Sequence, residues 1–149
     1  MWQSSHSIRA AARVTMNGVN TQPISLAQVF DSFDELWSPR IAATVNDYDV
    51  RVAKVQGEHV WHAHDHTDEF FLVIDGTLHL TLRTADGERE VVMPAGSVFT
   101  VPAGVEHKPA SPEGARILML EPTGTPNTGD RHDDLPSHLR TTTGHRYQG

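Results

Sequence analysis

From Ile41 to Pro122 the chain shows no helical period. Its apolar residues fall in short runs of roughly four to eight, the length of single strands. Gly57, Gly76, Asp86-Gly87, Pro94, Gly96, Pro102, Gly104 and Pro112-Glu113-Gly114 punctuate them. Short strands broken by turn formers about every ten residues are the pattern of an all-β sandwich or barrel. Ahead of this region, SLAQVFDSFDEL sets Leu26, Val29, Phe30, Phe33 and Leu36 at helical spacing. This predicts one short helix over residues 25–36, N-capped by Ser25 and ended by Ser38-Pro39. Residues 1–20 are polar and unpatterned, and are expected to form a flexible arm. Residues 21–121 then hold the leading helix and the barrel, and residues 122–149, opening on PTGTPNTGDRHDD, form an irregular tail.

Composition removes several function classes. The net charge is -7 and Lys54 and Lys108 are the only lysines, so no basic stripe exists for nucleic acid. No apolar run approaches the ~18 residues of a membrane span. The opening MWQSSHSIRAAARV lacks the apolar core of a secretory signal, which points to a cytoplasmic protein. Cysteine is absent, so any metal must sit on nitrogen and oxygen.

One stretch supplies such ligands: GEHVWHAHDHTDEFFLVIDG, residues 57–76. If Glu58 to His64 is a strand, then Val60, His62 and His64 share a face, the two histidines about 7 Å apart and able to reach one ion. The polar DHTD reads as a turn, and Glu69 opens the next strand, whose antiparallel return would set its carboxylate beside the histidines. His107, just after the Pro102–Gly104 turn, is the candidate fourth ligand.

These residues resemble the cupin family. Gly57, His62, His64, Glu69 and Gly76 match its first motif, and Gly96, Pro102, Gly104 and His107 its second. Two positions depart from the pattern: four residues rather than the usual five precede His62, and Ser111 stands where the family often has asparagine. The resemblance implies a double-stranded β-helix, a jelly-roll barrel, with His62, His64, Glu69 and His107 holding one divalent ion. Iron, zinc, manganese, nickel and copper all accept three imidazoles and a carboxylate, and an octahedral ion would keep two positions open.

Around this set, strand parity nominates Lys54, Gln56, Val60, Phe71 and Val73 as pocket lining, with Phe99 and Met119 as further walls. His66 is a candidate neighbour of the ligands rather than a ligand, and His59, on the opposite parity, is expected at the surface. The members of the family span many reactions, so fold alone leaves the activity open. Few basic residues lie near the motifs, chiefly Arg51, Lys54 and Lys108, which disfavours a phosphorylated substrate. The expectation is a metal-dependent small-molecule enzyme, a dioxygenase acting on an uncharged, aromatic or enolisable substrate. The alternatives are a redox-independent isomerase or cyclase and a non-catalytic metabolite-binding module. Phe70, Leu72 and Ile74 make the strand after Glu69 apolar on both faces, so the helix or a second subunit must cover it, and a homodimer is expected.

Overall fold

The computed structural model describes residues 15–16 and 18–149, so most of the expected flexible arm lies outside the described residues. Within it, β1 (Thr15–Met16) and β2 (Val19–Asn20) pair as a short antiparallel ladder. Helix α1 (Leu26–Asp31) follows, and the Ser25 hydroxyl accepts the Gln28 amide, as an N-cap should. The helix is shorter than the period suggested. Ser32 closes it, its amide and hydroxyl both donating to the Val29 carbonyl. Phe33 is still buried, but Leu36 is 45% exposed and bridges Lys54 in an extended stretch.

The remainder is strand: β3 (Arg40–Val45), β4 (Tyr48–Glu58), β5 (His62–Ala63), β6 (Glu69–Thr84), β7 (Gly87–Pro94), β8 (Val98–Val101), β9 (His107–Pro122), β10 (Arg131–His132) and β11 (His145–Arg146). They form one nine-stranded sheet running β10-β5-β9-β4-β3-β11, with β6 also on β9 and with β7 and β8 on β6. This is the jelly-roll arrangement, folded over two long strands, although its hydrogen-bonded path does not close into a ring. Each long strand serves two layers. The first half of β6 pairs with β8 and the second half of β9, and its second half pairs with β7 and the first half of β9.

The corner between those halves explains one motif glycine. The β6–β9 register shifts on both sides of Gly76, whose φ is +77°. A Cβ there would stand 2.3 Å from the Gly114 carbonyl oxygen, so only glycine fits. Ser111 braces the same corner by donating to the Thr77 carbonyl at 2.7 Å.

Alternation along the strands builds two cores. Ala53, Val55, Phe71, Val73, Leu78, Leu80, Ile117 and Met119 point inward and fill the roll. On the outer face α1 and the turn after it lay Val29, Phe30 and Phe33 over Ala42 and Val52, with Ile74 and Leu118 packed against them. The helix thus covers one end of the second apolar face of β6. The tail is tied to the barrel. Largely irregular along its length, it adds β10 and β11 to the sheet, buries Leu139 and packs Leu135 on the inner core.

Candidate metal centre

Four side chains meet inside the roll. His62, His64, Glu69 and His107 are all buried, and one ligand atom from each lies within 4.8 Å of all the others. Their placement follows from the ladder. His62 is the register partner of His107, so β5 and β9 bring the two rings to a centroid distance of 4.2 Å. Glu69 opens β6 opposite Val101. The expected β5–β6 pairing does not form, because β5 is held by β9 and β10 instead. Glu69 reaches the histidines through the 65–68 loop, which is pinned from outside. Gly104 donates its amide to the His64 carbonyl at 2.7 Å, and Asp68 accepts the Ala103 amide at 2.9 Å. The two motif loops therefore fix one another.

The hydrogen bonds set the tautomers. His62 Nδ1 lies 2.9 Å from the Val60 carbonyl, and His107 Nδ1 lies 2.9 Å from the Val105 carbonyl. A carbonyl only accepts, so each Nδ1 carries the proton and each Nε2 faces the cluster, the arrangement that orients metal-binding imidazoles. His64 Nε2 comes within 2.6 Å of Glu69 Oε2, but misaligned, so both of its buried nitrogens lack a hydrogen-bond partner. An orphaned buried donor or acceptor costs about 1–3 kcal/mol. A cation at the centre of the four groups would satisfy the His64 nitrogen that faces it, Nε2. Bonds of about 2.0–2.2 Å place opposed ligand atoms a little over 4 Å apart, so the set needs only small side-chain adjustments to close. The residues fit a divalent ion.

Electrostatics point the same way. Burial opposes ionisation of Glu69, but close contacts with His107 and His64 prevail and hold its carboxyl well below the usual range. Burial opposes a charge on His107 too, yet the Glu69 carboxylate at 3.2 Å raises it. Burial, then the neighbouring His107, keep His62 well below an ordinary histidine and hence neutral. The site is built around one anionic carboxylate, with His62 neutral beside it and His107 drawn to Glu69.

An apolar slot opens on this cluster. It is narrow, with about 420 Å³ of atom-free space that is partly open to solvent. Trp37, Val55, Phe71, Ile117 and Met119 form its walls, while Glu121 and Asn127 line it as well. Of the nominated lining, Phe71 and Met119 reach the slot. Val73 is buried in the core beside it, and Phe99, half-buried against the core, pairs with Phe71 from behind. Lys54 and Gln56 do not line it. The β4–β9 register slips between Val55 and Gly57, which reverses the parity and turns Ala53 and Val55 inward. Lys54 instead donates to the Phe33 carbonyl at 2.6 Å, and Gln56 is exposed. Val60 packs half-buried on the core, and it is its carbonyl that matters, accepting from His62. His66 is exposed in the turn and takes no part in the cluster.

His59, Trp37 and Asn127 are among the pocket residues that escaped the sequence reading. His59, expected at the surface, is buried, its ring 4.6 Å from that of His62 and 5.2 Å from Trp37. Residues 59–61 leave the strand, so parity no longer applies to them. Trp37 adopts φ 57°, unusual for so bulky a residue, and is clamped there by Nε1 donating to the Gln56 carbonyl at 2.9 Å. Asn127 arrives from the tail, bonded to Trp37, Arg140 and Thr142.

Burial pushes His59 from 6.5 down to about 4. Between these values the unfolded chain binds the proton and the folded chain does not. Stability is therefore full above pH 6.5 and falls as the pH drops toward 4, by about 3 kcal/mol in total. In chelator-treated protein, denaturant titrations should show His59→Phe gaining on wild type by that amount between pH 7 and pH 4. A constant difference across the range would contradict the assignment.

Comparison with known proteins agrees with this architecture. Residues 49–121 match the Cupin domain family. A segment of 67 residues is 34% identical to the protein YdbB of Bacillus subtilis (strain 168); it takes in 45% of this chain and 57% of the relative, so the chain spans little more than half the length of that relative. The structure of hydroquinone 1,2-dioxygenase from Sphingomonas sp. TTNP3, with 4-hydroxybenzoate bound, shares the fold at a TM-score of 0.56 and 17% identity, over 66% of this chain and 74% of that one. A cupin-2 domain containing protein from Shewanella frigidimarina NCIMB 400 superposes with a TM-score of 0.62 at 41% identity, over 66% of this chain and 93% of that one. With both motifs in place, the fold they require and a relative this similar along nearly its whole length, the chain belongs to the cupin family.

Proposed function

We propose that this protein is a metal-dependent enzyme of small-molecule metabolism, of the dioxygenase type, with His62, His64, Glu69 and His107 as the metal ligands. The observation that carries the reading is the buried cluster of three imidazoles and one carboxylate at the wall of a narrow apolar slot. When bound, a redox-active divalent ion supplies dioxygen chemistry there, and a redox-inert one supplies Lewis acidity. The chain's own residues do the rest. Val60 and Val105 hold two rings by their Nδ1 protons, Glu69 provides the one anionic ligand, and Trp37, Phe71 and Met119 exclude water from the slot.

The nearby cations support an uncharged substrate, since each is already engaged. Arg51 is held by Glu121 and Asp49, Lys54 by the Phe33 carbonyl, and Lys108 by Glu58. Among the described residues, none of these three is left free for a phosphate or carboxylate. The test is reconstitution of metal-free protein. The iron(II) form should consume oxygen with one or more members of a panel of catechols, diketones and keto-enols, and the zinc form should not. Turnover by the zinc form without oxygen would make the protein an isomerase or cyclase, and ligand affinity without turnover on any ion would make it a binding module.

The proposed homodimer would bury the part of the outer face that α1 leaves uncovered. Phe70, Leu72 and Leu120 are half-buried there, and Val98, register partner of Leu72, is 58% exposed. Light scattering at micromolar concentration should give twice the chain mass. A monomeric mass would refute the dimer and leave the metal assignment untouched.

A further inference from the structure

Every polar side chain in the slot except one is accounted for. The Asn127 amide is bonded on both sides, to the Arg140 carbonyl and the Thr142 amide. Trp37 Nε1 is taken by the Gln56 carbonyl, and Glu121 by Arg51 and Glu69. His62 and Glu69 belong to the metal cluster. His59 remains. Its Nδ1 lies 3.3 Å from the Val60 carbonyl, which can only accept, so that nitrogen carries the proton. Its Nε2 has no hydrogen-bond partner among the described residues, and the ring lines the slot. A polar atom held in an apolar wall with its lone pair unused favours a ligand that brings the missing donor, and penalises one that does not.

We propose that His59 is the specificity-determining residue of this site: its Nε2 accepts a hydrogen bond from the hydroxyl of a small, uncharged ligand seated between Trp37, Phe71 and Met119. The inference rests on the reading of the four-residue cluster as a metal site facing the slot, and adds which group of the ligand is read and by what. Lack of charge follows from the engaged cations. The hydroxyl follows from the tautomer of His59.

The test uses zinc-loaded protein and a matched pair of probes, 4-hydroxybenzonitrile and benzonitrile, which differ by one ring hydroxyl. Calorimetry should show wild type preferring the hydroxylated probe by about tenfold, the effect of one hydrogen bond in a desolvated site. His59→Phe keeps a ring and removes the nitrogens. It should erase the preference while zinc content, measured on the same sample, stays stoichiometric. His59→Gln, which places an amide oxygen near the Nε2 position, should recover part of it, and His59→Leu serves if the Phe variant does not fold. A preference that survives both nitrogen-free variants, or that is missing from zinc-loaded wild type, overturns the assignment to His59 and leaves the metal site standing. Loss of zinc from the His59 variants overturns it too, since the ring would then be supporting the cluster rather than reading a ligand. Wild type that retains no zinc under any loading condition defeats the underlying reading instead.

Discussion

Replacing His62 and His107 together by alanine should leave the protein unable to retain a divalent ion. The two rings are register partners across β5 and β9, and each is oriented by its own carbonyl. The double variant removes two of four ligands and leaves His64 and Glu69, which do not make a cage. Loss of an outer partner of a ligand alone weakens metal binding about 10–100-fold, so loss of a ligand in either single variant should exceed that. His66→Ala should change nothing, because that ring is exposed and outside the cluster. Elemental analysis after dialysis decides the matter, and stoichiometric metal in the double variant would sink the assignment. Acid should act in the same direction. A proton held between His107 and the Glu69 carboxylate competes with the ion for both groups, so affinity should drop between neutral pH and about pH 5.

The four cluster residues were legible because each sits at a point where the chain's geometry is dictated locally. His62 and His64 follow a two-residue period, Glu69 opens a strand after a polar turn, and His107 follows Pro102 and Gly104. The inward faces of β6 and β9 were legible for the same reason. Leu78, Leu80 and Leu82 alternate as a half-buried strand must. Where the period breaks, so did the reading. One register slip beside Gly57 exchanged Lys54 and Gln56 for Ala53 and Val55 in the wall of the slot, and the irregular stretch 59–61 hid His59. A slip of one residue moves every later side chain to the opposite face, and Gly57 marked where a bulge could fall without saying that one does. The helix ended early because Ser32 caps it, a choice that the apolar spacing through Leu36 concealed.

The tail was illegible for a different reason. Its residues gain their structure from partners far away in the chain. Asp130 accepts the Asp65 amide, Arg131 pairs with Asp65, and β10 adds to the strand that carries His62. Gly129 sits so close to Ala63 that a Cβ would meet its carbonyl oxygen at 2.4 Å. Turn formers in PTGTPNTGD marked the bends but could not say what they bend around.

Arg51 is what binds this tail to the interior, and its replacement by methionine should cost about 3–5 kcal/mol of stability. The side chain is fully buried. One terminal nitrogen donates to Glu121 at 2.7 Å and to the Thr125 carbonyl at 2.8 Å, and the other donates to Asp49 at 3.1 Å. Asp49 also accepts from Thr123 at 2.8 Å. Burial, then the nearby Glu69 charge, push Glu121 well above the ordinary carboxylate range, against the pull of Arg51. The cation thus bonds two buried carboxylates at once. Methionine fills much of the same volume but strands Asp49 as a buried anion and orphans the Thr125 carbonyl, and removing one partner of a buried ion pair is worse than removing the pair. Arg51→Met combined with Asp49→Leu should accordingly recover a good part of the loss, although each change alone is destabilising. Urea titration measures both. A second readout separates tethering from general destabilisation: residues 123–149 should become sensitive to protease in Arg51→Met under conditions where β6 and β9 remain protected. If the urea midpoint hardly moves, or the tail stays as resistant as in wild type, then Arg51 is not the tether, and the position of Asn127 in the slot must be held by its own bonds to Trp37 and Thr142.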